Sequence, residues 1–333
     1  MNQTIIALHR LVEESEPNIC EITVMQDGNV CYEDYWHGFG PGDALNVMSV
    51  TKSVIALLVG IAMDRGYIVS VEQKVLEFFP EYSVKRGEKT IYDVTLYHLL
   101  TMTASYKYKS EPWTKVCTSE DWTKAALDLL GGRGGLTGTF TYATLGIQIL
   151  VGVIEQASGR KLLDFANEYL FSPLGIPESV NHGDSSKEDQ FDFLMNKNPR
   201  KHEWYSDPKN TVTAGWGLTL SATDMARIGQ MCLEGGVFRG RRILSDKWIR
   251  EVTTPYQTLD ERFGYMSYGY LWWISDKEKR SFAAIGDGGN VIYVNPEKKV
   301  SIGVAGTFKP RIFDRVDFIE QKILPVVLGE QNT

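Results

Sequence analysis

The stretch GDALNVMSVTKSVIALLVGIAMDRGY, residues 42–67, decides the fold of this chain of 333 residues. Positions 54–63 are all apolar or glycine, a pattern typical of a helix that is buried on every side. Asp43 or Asn46 is suited to cap the start of such a helix, and Gly66 is suited to end it. The sequence therefore predicts a long helix inside a protein core.

Ser49 and Lys52 lie at the entry end of this predicted helix, in the motif SVTK. Residues three apart on a helix project from the same face, so the Lys52 amine is expected beside the Ser49 hydroxyl. A lysine with an ordinary pKa of about 10.4 is a poor base at neutral pH, but burial lowers that pKa. The helix N-terminus also favours negative charge on a serine oxygen. The pair is predicted to be a nucleophile and a proton carrier.

The same spacing of serine and lysine occurs at two other positions, Ser158 (SGRK) and Ser206 (SDPK). Gly159 marks the end of a helix in the first copy, and Pro208 breaks the helical spacing in the second. Only the Ser49 copy opens a long apolar helix, so it is the candidate that the context favours.

The remaining periodicity divides the chain into two regions. Residues 67–255 have mostly helical periodicity, whereas three strand-like runs follow from about residue 264, and a hairpin lies near the N-terminus. The sheet therefore draws on both chain ends, and its short connections predict antiparallel pairing. We expect an α+β fold with a sheet lobe from 1–66 and 256–333, a helical lobe from 67–255, and a final helix over 314–328. The active site is expected between the lobes.

The N-terminal hairpin contains two of the four cysteines. Its turn at Asp27–Gly28 predicts that Val24 pairs with Cys31 and that Cys20 pairs with Tyr35. The two thiols would then lie out of register, and no CxxC pair occurs in the chain. Free, reduced cysteines are the expected state.

Charge and hydropathy bear on partners and location. The net charge is −7, from 42 acidic and 35 basic side chains, so a nucleic-acid partner is not expected. The longest apolar run, 54–63, is far shorter than the roughly 20 residues that a membrane span needs. Glu13, Glu14 and Glu16 interrupt the region where a signal peptide would continue its apolar stretch. A cytoplasmic location without a membrane span is predicted.

Six segments along the chain form a recognisable series: NVMSVTKSVIALLVGIAMDRGYI, VTLYHLLTMTAS, GTFTYATLGIQILVGVIEQASG, LFSPLGI, GWGLTLSATDMARIGQM and SFAAIGDGGNVIYVNP. In these segments and in their order, over about residues 20–325, the chain resembles the serine β-lactamase-related family. This family includes class C β-lactamases, penicillin-binding proteins, carboxylesterases and aminohexanoate-dimer hydrolases. The resemblance implies the β-lactamase/DD-peptidase-like fold, an antiparallel sheet flanked by helices beside a mostly helical lobe.

Two of the family's motifs carry over to residues that move protons. Its Ser-x-x-Lys falls on Ser49 and Lys52, and its Tyr-x-Asn falls on Tyr142, Ala143 and Thr144. The resemblance implies that Tyr142 is a shared general base and acid, which needs the cation of Lys52 nearby because a free phenol has a pKa near 10. Thr144 replaces the asparagine that contacts a β-lactam side chain.

The family's third motif, Lys-Thr-Gly or His-x-Gly, falls on Ala284, Ile285 and Gly286. Glycine permits the strand to approach a substrate, and the backbone N–H of Asp287 is expected to form an oxyanion hole with that of Ser49. Ala284 lacks the cation that helps β-lactamases and cell-wall peptidases to hold a substrate carboxylate. This strand is most similar to the esterase and aminohexanoate-dimer hydrolase branch.

Other site chemistries find little support. The chain has no GxSxG elbow, and its histidines have no metal-ligand spacing. The glycine-rich segment 131–138 lacks the Lys-Ser/Thr ending of a phosphate loop and is interpreted as a flexible loop leading to Tyr142. Four aromatic residues are candidates either for pocket walls or for the core. They are Tyr106, Tyr108, Trp113 and Trp122.

The sequence thus predicts a serine hydrolase that forms an acyl-enzyme on small ester or amide substrates, without a metal or an organic cofactor. A penicillin-binding protein or β-lactamase is the alternative. A different class of hypothesis is a catalytically silent binding module that keeps the fold, and reactivity of Ser49 would distinguish it from an enzyme.

Overall fold

The computed structural model describes residues 3–183, 186–195, 197–276, 278 and 280–329. Its strands in chain order are β1 Ile19–Gln26, β2 Asn29–Tyr35, β3 Leu45–Asn46, β4 Val180–His182, β5 Glu203–Tyr205, β6 Thr219–Leu220, β7 Val237–Phe238, β8 Arg241–Arg242, β9 Gln257–Thr258, β10 Ser267–Tyr268, β11 Trp273–Asp276, β12 Ser281–Gly286, β13 Asn290–Asn295 and β14 Val300–Gly306.

The α-helices are α1 Gln3–Ser15, α2 Val50–Asp64, α3 Leu96–Leu100, α4 Trp113–Cys117, α5 Trp122–Leu129, α6 Gln148–Ser158, α7 Leu162–Ala166, α8 Ser172–Leu174, α9 Lys187–Met195, α10 Ala222–Leu233, α11 Asp246–Val252, α12 Val316–Phe318 and α13 Leu324–Val327. Short 3₁₀ helices span Val75–Phe78, Thr90–Asp93 and Glu261–Phe263, and π-helical turns span Asn167–Phe171 and Ile319–Ile323. None of these described helices combines the length and the hydropathy that crossing a membrane requires.

Eight strands form one antiparallel sheet, in the order β2-β1-β14-β13-β12-β11-β10-β9. Strand β1 therefore pairs with β14 from the C-terminal part of the chain, and β2 extends the sheet at its edge, which confirms the α+β prediction and the contribution of both chain ends. The strands β12, β13 and β14 are buried along their whole length. They read as almost continuous apolar runs because helices cover both faces of the sheet.

The two faces of the sheet carry helices from different parts of the chain. Helix α10 packs so tightly on β14 that a β-carbon at Gly303 would overlap the backbone of Ala222. On the opposite face, the hydroxyl of Tyr293 donates a hydrogen bond of 2.6 Å to Glu320, in the C-terminal helical segment. That segment runs without a break from Val316 to Val327, two residues later than the predicted start.

Helix α2 is buried from Val50 to Ala62, as its apolar pattern predicts, and Gly66 ends it with a positive φ of 77°. Its predicted start is wrong, because the N-cap residue is Ser49 rather than Asp43 or Asn46. The Asn46 side chain is engaged elsewhere: its Oδ1 accepts hydrogen bonds from the backbone of Met48 and Gly217. The Ser49 hydroxyl makes no capping bond to the helix.

The N-terminal hairpin turns at Asp27–Gly28 as predicted, but its register is different. A bulge between Val24 and Met25 places Val24 opposite Tyr32 and Glu21 opposite Tyr35. The predicted pairs of Val24 with Cys31 and of Cys20 with Tyr35 are therefore wrong. The extra residue of a bulge shifts all pairs beyond it, and the turn sequence does not encode that shift. All four cysteines are free.

Candidate active site

Ser49 and Lys52 meet at the start of α2, as their spacing predicts. The Lys52 Nζ lies 2.6 Å from the Ser49 Oγ and donates a second hydrogen bond of 2.9 Å to the Gly215 carbonyl oxygen. Only 1% of Lys52 is exposed, and this burial lowers its pKa to about 7, against the opposing effect of the Glu111 and Asp287 carboxylates. Near neutral pH, a large fraction of this amine is unprotonated and able to accept a proton.

Tyr142 lies on the other side of the same pair of atoms. The Lys52 Nζ is 4.9 Å from the centre of the Tyr142 ring, and the Ser49 side chain is close enough to the phenol to affect its pKa. Burial raises the pKa of Tyr142 well above its usual value, although the contact with Ser49 lowers it. The ring packs against Trp273, with centroids 5.9 Å apart. Tyr142 is therefore a neutral phenol that can donate a proton or relay one.

The end of strand β12 lies against the start of α2. A β-carbon at Gly286 would overlap the Val47 carbonyl oxygen and would lie 3.0 Å from the Ser49 backbone nitrogen. The residue after Gly286, Asp287, lines the same cleft as Ser49. Among the described residues, no hydrogen-bond acceptor engages the backbone N–H of either Ser49 or Asp287. Within the described part of the chain, these two backbone N–H groups therefore have no acceptor and belong to residues that line the same cleft.

The other residues of the third family motif lie at different depths. Ile285 lines the cleft, whereas Ala284 is fully buried in the sheet and pairs with Ile292 of β13. Thr144 also lines the cleft. It lies so close to Gly215 that a β-carbon added at Gly215 would overlap the Thr144 side chain. The third motif thus presents one apolar side chain and a glycine near Ser49, without a cation.

Sequence reasoning missed Glu111 and Arg311, and both line the cleft. The Glu111 Oε1 accepts hydrogen bonds from the backbone of Thr144 and Leu145, at 2.6 and 2.7 Å. Arg311 donates to the Asp287 carboxylate at 3.0 Å. Both residues lie in loops far from the family motifs in the sequence, so no spacing pattern pointed to them.

The cleft has a volume of about 350 Å³. Of the four candidate wall aromatics, Trp113 lines it, whereas Trp122 packs in the core against Tyr205 and Trp216. Tyr106 and Tyr108 stack on each other, with centroids 5.2 Å apart, and neither lines the cleft. The residues that line the cleft are Ser49, Glu111, Trp113, Tyr142, Thr144, Phe263, Trp273, Ile285, Asp287, Arg311 and Phe313.

An eight-stranded antiparallel sheet covered by helices, with an S-x-x-K motif at the start of a buried helix, defines the class of β-lactamase-like and penicillin-binding-protein-like proteins. The model of the family described as Beta-lactamase matches residues 21–319. The chain belongs to this family.

Named relatives within this class differ in activity. A 6-aminohexanoate-dimer hydrolase from Paenarthrobacter ureafaciens is 28% identical over 298 residues, which cover 82% of this chain and 68% of the relative. Two solved structures share the fold over 98% of this chain. One is a family VIII carboxylesterase (TM-score 0.70, 18% identity, 96% of that chain), and the other is an octameric penicillin-binding protein homologue from Pyrococcus abyssi (TM-score 0.69, 23% identity, 77% of that chain). The family thus includes hydrolases and penicillin-binding-protein homologues.

Proposed function

We propose that this protein is a serine hydrolase that forms an acyl-enzyme at Ser49 on small ester or amide substrates. The observation that carries the proposal is the 2.6 Å contact between the Ser49 Oγ and the Nζ of a buried lysine whose pKa lies near 7. A serine hydroxyl is a weak nucleophile unless a base within hydrogen-bonding distance removes its proton. Lys52 meets both requirements, distance and proton affinity.

In the acylation step, neutral Lys52 takes the Ser49 proton while the Oγ forms a bond to the carbonyl carbon of the substrate. The carbonyl π electrons move to the oxygen, which becomes an oxyanion between the backbone N–H groups of Ser49 and Asp287. Lys52 is better suited than Tyr142 to be the base, because burial raises the pKa of the phenol and holds it neutral.

The next steps transfer the proton to the leaving group and regenerate the free enzyme. When the oxyanion collapses, the bond to the leaving group breaks, and the proton on Lys52 passes through the Tyr142 hydroxyl to the leaving oxygen or nitrogen. A water molecule then attacks the Ser49 ester, gives up a proton to the same pair, and releases the acid. Ser49 recovers its proton from Lys52.

The aromatic lining of the cleft favours a substrate with an uncharged acyl group. Trp273 and Phe313 pack edge to face with centroids 5.3 Å apart, and Phe263 packs beside both. The carboxylates of Glu111 and Asp287 disfavour an anionic substrate. A β-lactam remains the alternative substrate, and Arg311 is the cation in the cleft that its carboxylate would have to reach.

We also propose that the cleft lies between two lobes, 1–66 with 256–333 and 67–255. Residues from both ranges line it: Ser49 and Asp287 come from the first, whereas Glu111, Tyr142 and Thr144 come from the second. Loops of the helical lobe would then set the substrate range, while the sheet lobe would supply the nucleophile.

The experiment is the intact mass of the wild type and of Ser49→Ala after treatment with a fluorophosphonate and, separately, with penicillin. A fluorophosphonate adduct that is lost in Ser49→Ala is the expected result. A Ser49-dependent penicillin adduct would favour the β-lactam alternative. A folded wild type that forms neither adduct would contradict the proposal and favour a silent binding module.

A further inference from the structure

Glu111 lines the cleft and holds two backbone N–H groups close to the proposed nucleophile. A single oxygen, Oε1, accepts the N–H groups of Thr144 and Leu145 and also lies 3.4 Å from the Tyr108 hydroxyl. Charge-assisted hydrogen bonds of 2.6 and 2.7 Å are short and strong. The carboxylate therefore fixes the backbone that begins two residues after Tyr142.

The segment that carries Tyr142 lacks the regular hydrogen bonds of a helix or a strand. The backbone N–H of Thr141, just before Tyr142, bonds to the Met102 carbonyl oxygen at 2.7 Å, and that of Ala143, just after it, makes a contact of 3.3 Å with the Met102 sulfur. Sulfur is a weak acceptor, so the strong anchor on the C-terminal side of Tyr142 is the Glu111 carboxylate, which holds Thr144 and Leu145.

We propose that Glu111 is a positioning residue, whose carboxylate anchors the Thr144–Leu145 backbone and thereby holds the Tyr142 hydroxyl against Ser49. This assignment rests on the function proposed above. Removal of the acceptor would leave two backbone N–H groups without their partner, and the segment would move to bond water or another group. A displacement of about 1 Å at a catalytic group is enough to cost roughly 100-fold in rate.

The negative charge of Glu111 has an effect on Lys52 that is distinct from the effect of its hydrogen bonds. Its carboxylate and that of Asp287 raise the pKa of the Lys52 amine, against the larger effect of burial. Arg311 pairs with Asp287, and the centre of the Tyr142 ring lies 4.9 Å from the Lys52 amine. Loss of the Glu111 charge alone should therefore lower the pKa of Lys52 and extend the activity toward lower pH.

Three substitutions distinguish these effects. Glu111→Ala removes both the acceptor and the charge. Glu111→Asp keeps the charge but is one methylene shorter, so it cannot reach both N–H groups. Glu111→Gln keeps an oxygen that can accept both bonds but has no charge. Glu88→Ala is the matched control, because the Glu88 Oε1 also accepts two backbone N–H groups, from Ile91 and Gly132, outside the cleft.

The readout is the turnover of an ester substrate from about pH 5 to pH 9, because the Tyr142 relay is needed for an alkoxide leaving group but not for the fluoride of a fluorophosphonate. Fluorophosphonate labelling and a melting curve are recorded for each variant as checks on Ser49 and on folding. We expect Glu111→Ala and Glu111→Asp to turn the ester over roughly 100-fold more slowly than the wild type. Glu111→Gln should be within about threefold of the wild type on the plateau, with its acidic limb at lower pH. Glu88→Ala should turn the ester over like the wild type.

Wild-type labelling together with an unchanged ester turnover in a folded Glu111→Ala would overturn the assignment and leave the proposed function intact. A Glu111→Gln variant as slow as Glu111→Ala would also overturn it, because the acceptor would then not be what matters. If Glu111→Ala does not fold, the comparison of Glu111→Asp with Glu111→Gln decides in the same way. Absence of labelling in the wild type would overturn the proposed function and this assignment together.

Discussion

Gly286 and Ser49 are so close that a β-carbon on Gly286 would lie 3.0 Å from the Ser49 backbone nitrogen. This contact joins the end of a central strand to the start of the buried helix α2. It also brings the backbone that follows Gly286 beside the proposed nucleophile, so the two proposed oxyanion donors depend on a residue without a side chain.

Replacement of Gly286 by alanine should therefore separate strand β12 from α2. We expect the rate of Ser49 acylation to fall by about 100-fold or more, because one oxyanion donor would leave its place. Overpacking should also lower the free energy of unfolding by about 1–3 kcal/mol. Labelling kinetics and denaturant melts measure the two effects.

The matched control for this variant is Gly40→Ala, since a β-carbon at Gly40 meets no atom within 4 Å. Gly40→Ala should change neither the rate of Ser49 acylation nor the free energy of unfolding appreciably. A Gly286→Ala variant that labels as fast as the wild type would show that the contact has no role in catalysis.

The pH dependence of acylation should report Lys52. Burial lowers the pKa of this lysine to about 7, and only its neutral form can accept the Ser49 proton. Below pH 7, the labelling rate should therefore fall about tenfold for each unit of pH, and above pH 8 it should be nearly constant. Stopped-time intact mass is the measurement, and a rate that keeps rising tenfold per unit from pH 7 up to about pH 10 would instead identify an ordinary lysine.

The same lowered pKa predicts how stability varies with pH. In the unfolded chain Lys52 binds its proton up to about pH 10.4, whereas the folded state releases it near pH 7, so the unfolded state binds more protons between these values. The free energy of unfolding should therefore rise with pH in this window. Relative to Lys52→Met, the wild type should gain up to about 4 kcal/mol.

Urea denaturation of both proteins at several pH values measures this difference. Ser49→Ala, which keeps the buried amine, is the control and should follow the pH dependence of the wild type. A constant difference between the wild type and Lys52→Met from pH 7 to pH 10 would contradict a lowered pKa.

Removal of the Tyr142 hydroxyl should affect the rate far more than the stability. Tyr142→Phe keeps the ring that packs against Trp273 but removes the group that contacts Ser49 and relays the proton. Turnover of an ester substrate should fall by about 10²–10⁴-fold. The neighbouring Tyr268, whose ring centroid lies 6.4 Å from that of Tyr142, offers a control in Tyr268→Phe. If Tyr142→Phe turned the ester over as fast as a fully active Tyr268→Phe, Tyr142 would not be part of the proton path.

Local patterns were sufficient to predict several features. The i, i+3 spacing placed the Lys52 amine on the Ser49 hydroxyl, because helical geometry relates neighbours in sequence directly to neighbours in space. The buried helix α2 and the strands near the C-terminus were predicted from the spacing of apolar residues, because that spacing shows which positions are buried. The turn at Asp27–Gly28 followed from turn chemistry alone.

Other features depended on contacts between distant parts of the chain. Glu111 bonds to the backbone after Tyr142, Gly215 accepts a hydrogen bond from Lys52, and Arg311 pairs with Asp287. The side chain of Asn46 bonds to Gly217 rather than to the helix, and α2 begins at Val50 without a capping bond from the Ser49 hydroxyl. Such pairs are joined only when the core packs, because burial then requires each polar group to find a partner.

The sequence by itself thus determined the buried helix, the α+β class and the candidate pair of Ser49 and Lys52, all of which arise from neighbouring residues. Only the tertiary structure decided the proton affinity of Lys52, the cleft walls and the anchoring of Tyr142. The physical reason is that a pKa and a cleft depend on which distant groups exclude water from a site, and this exclusion exists only in the packed protein.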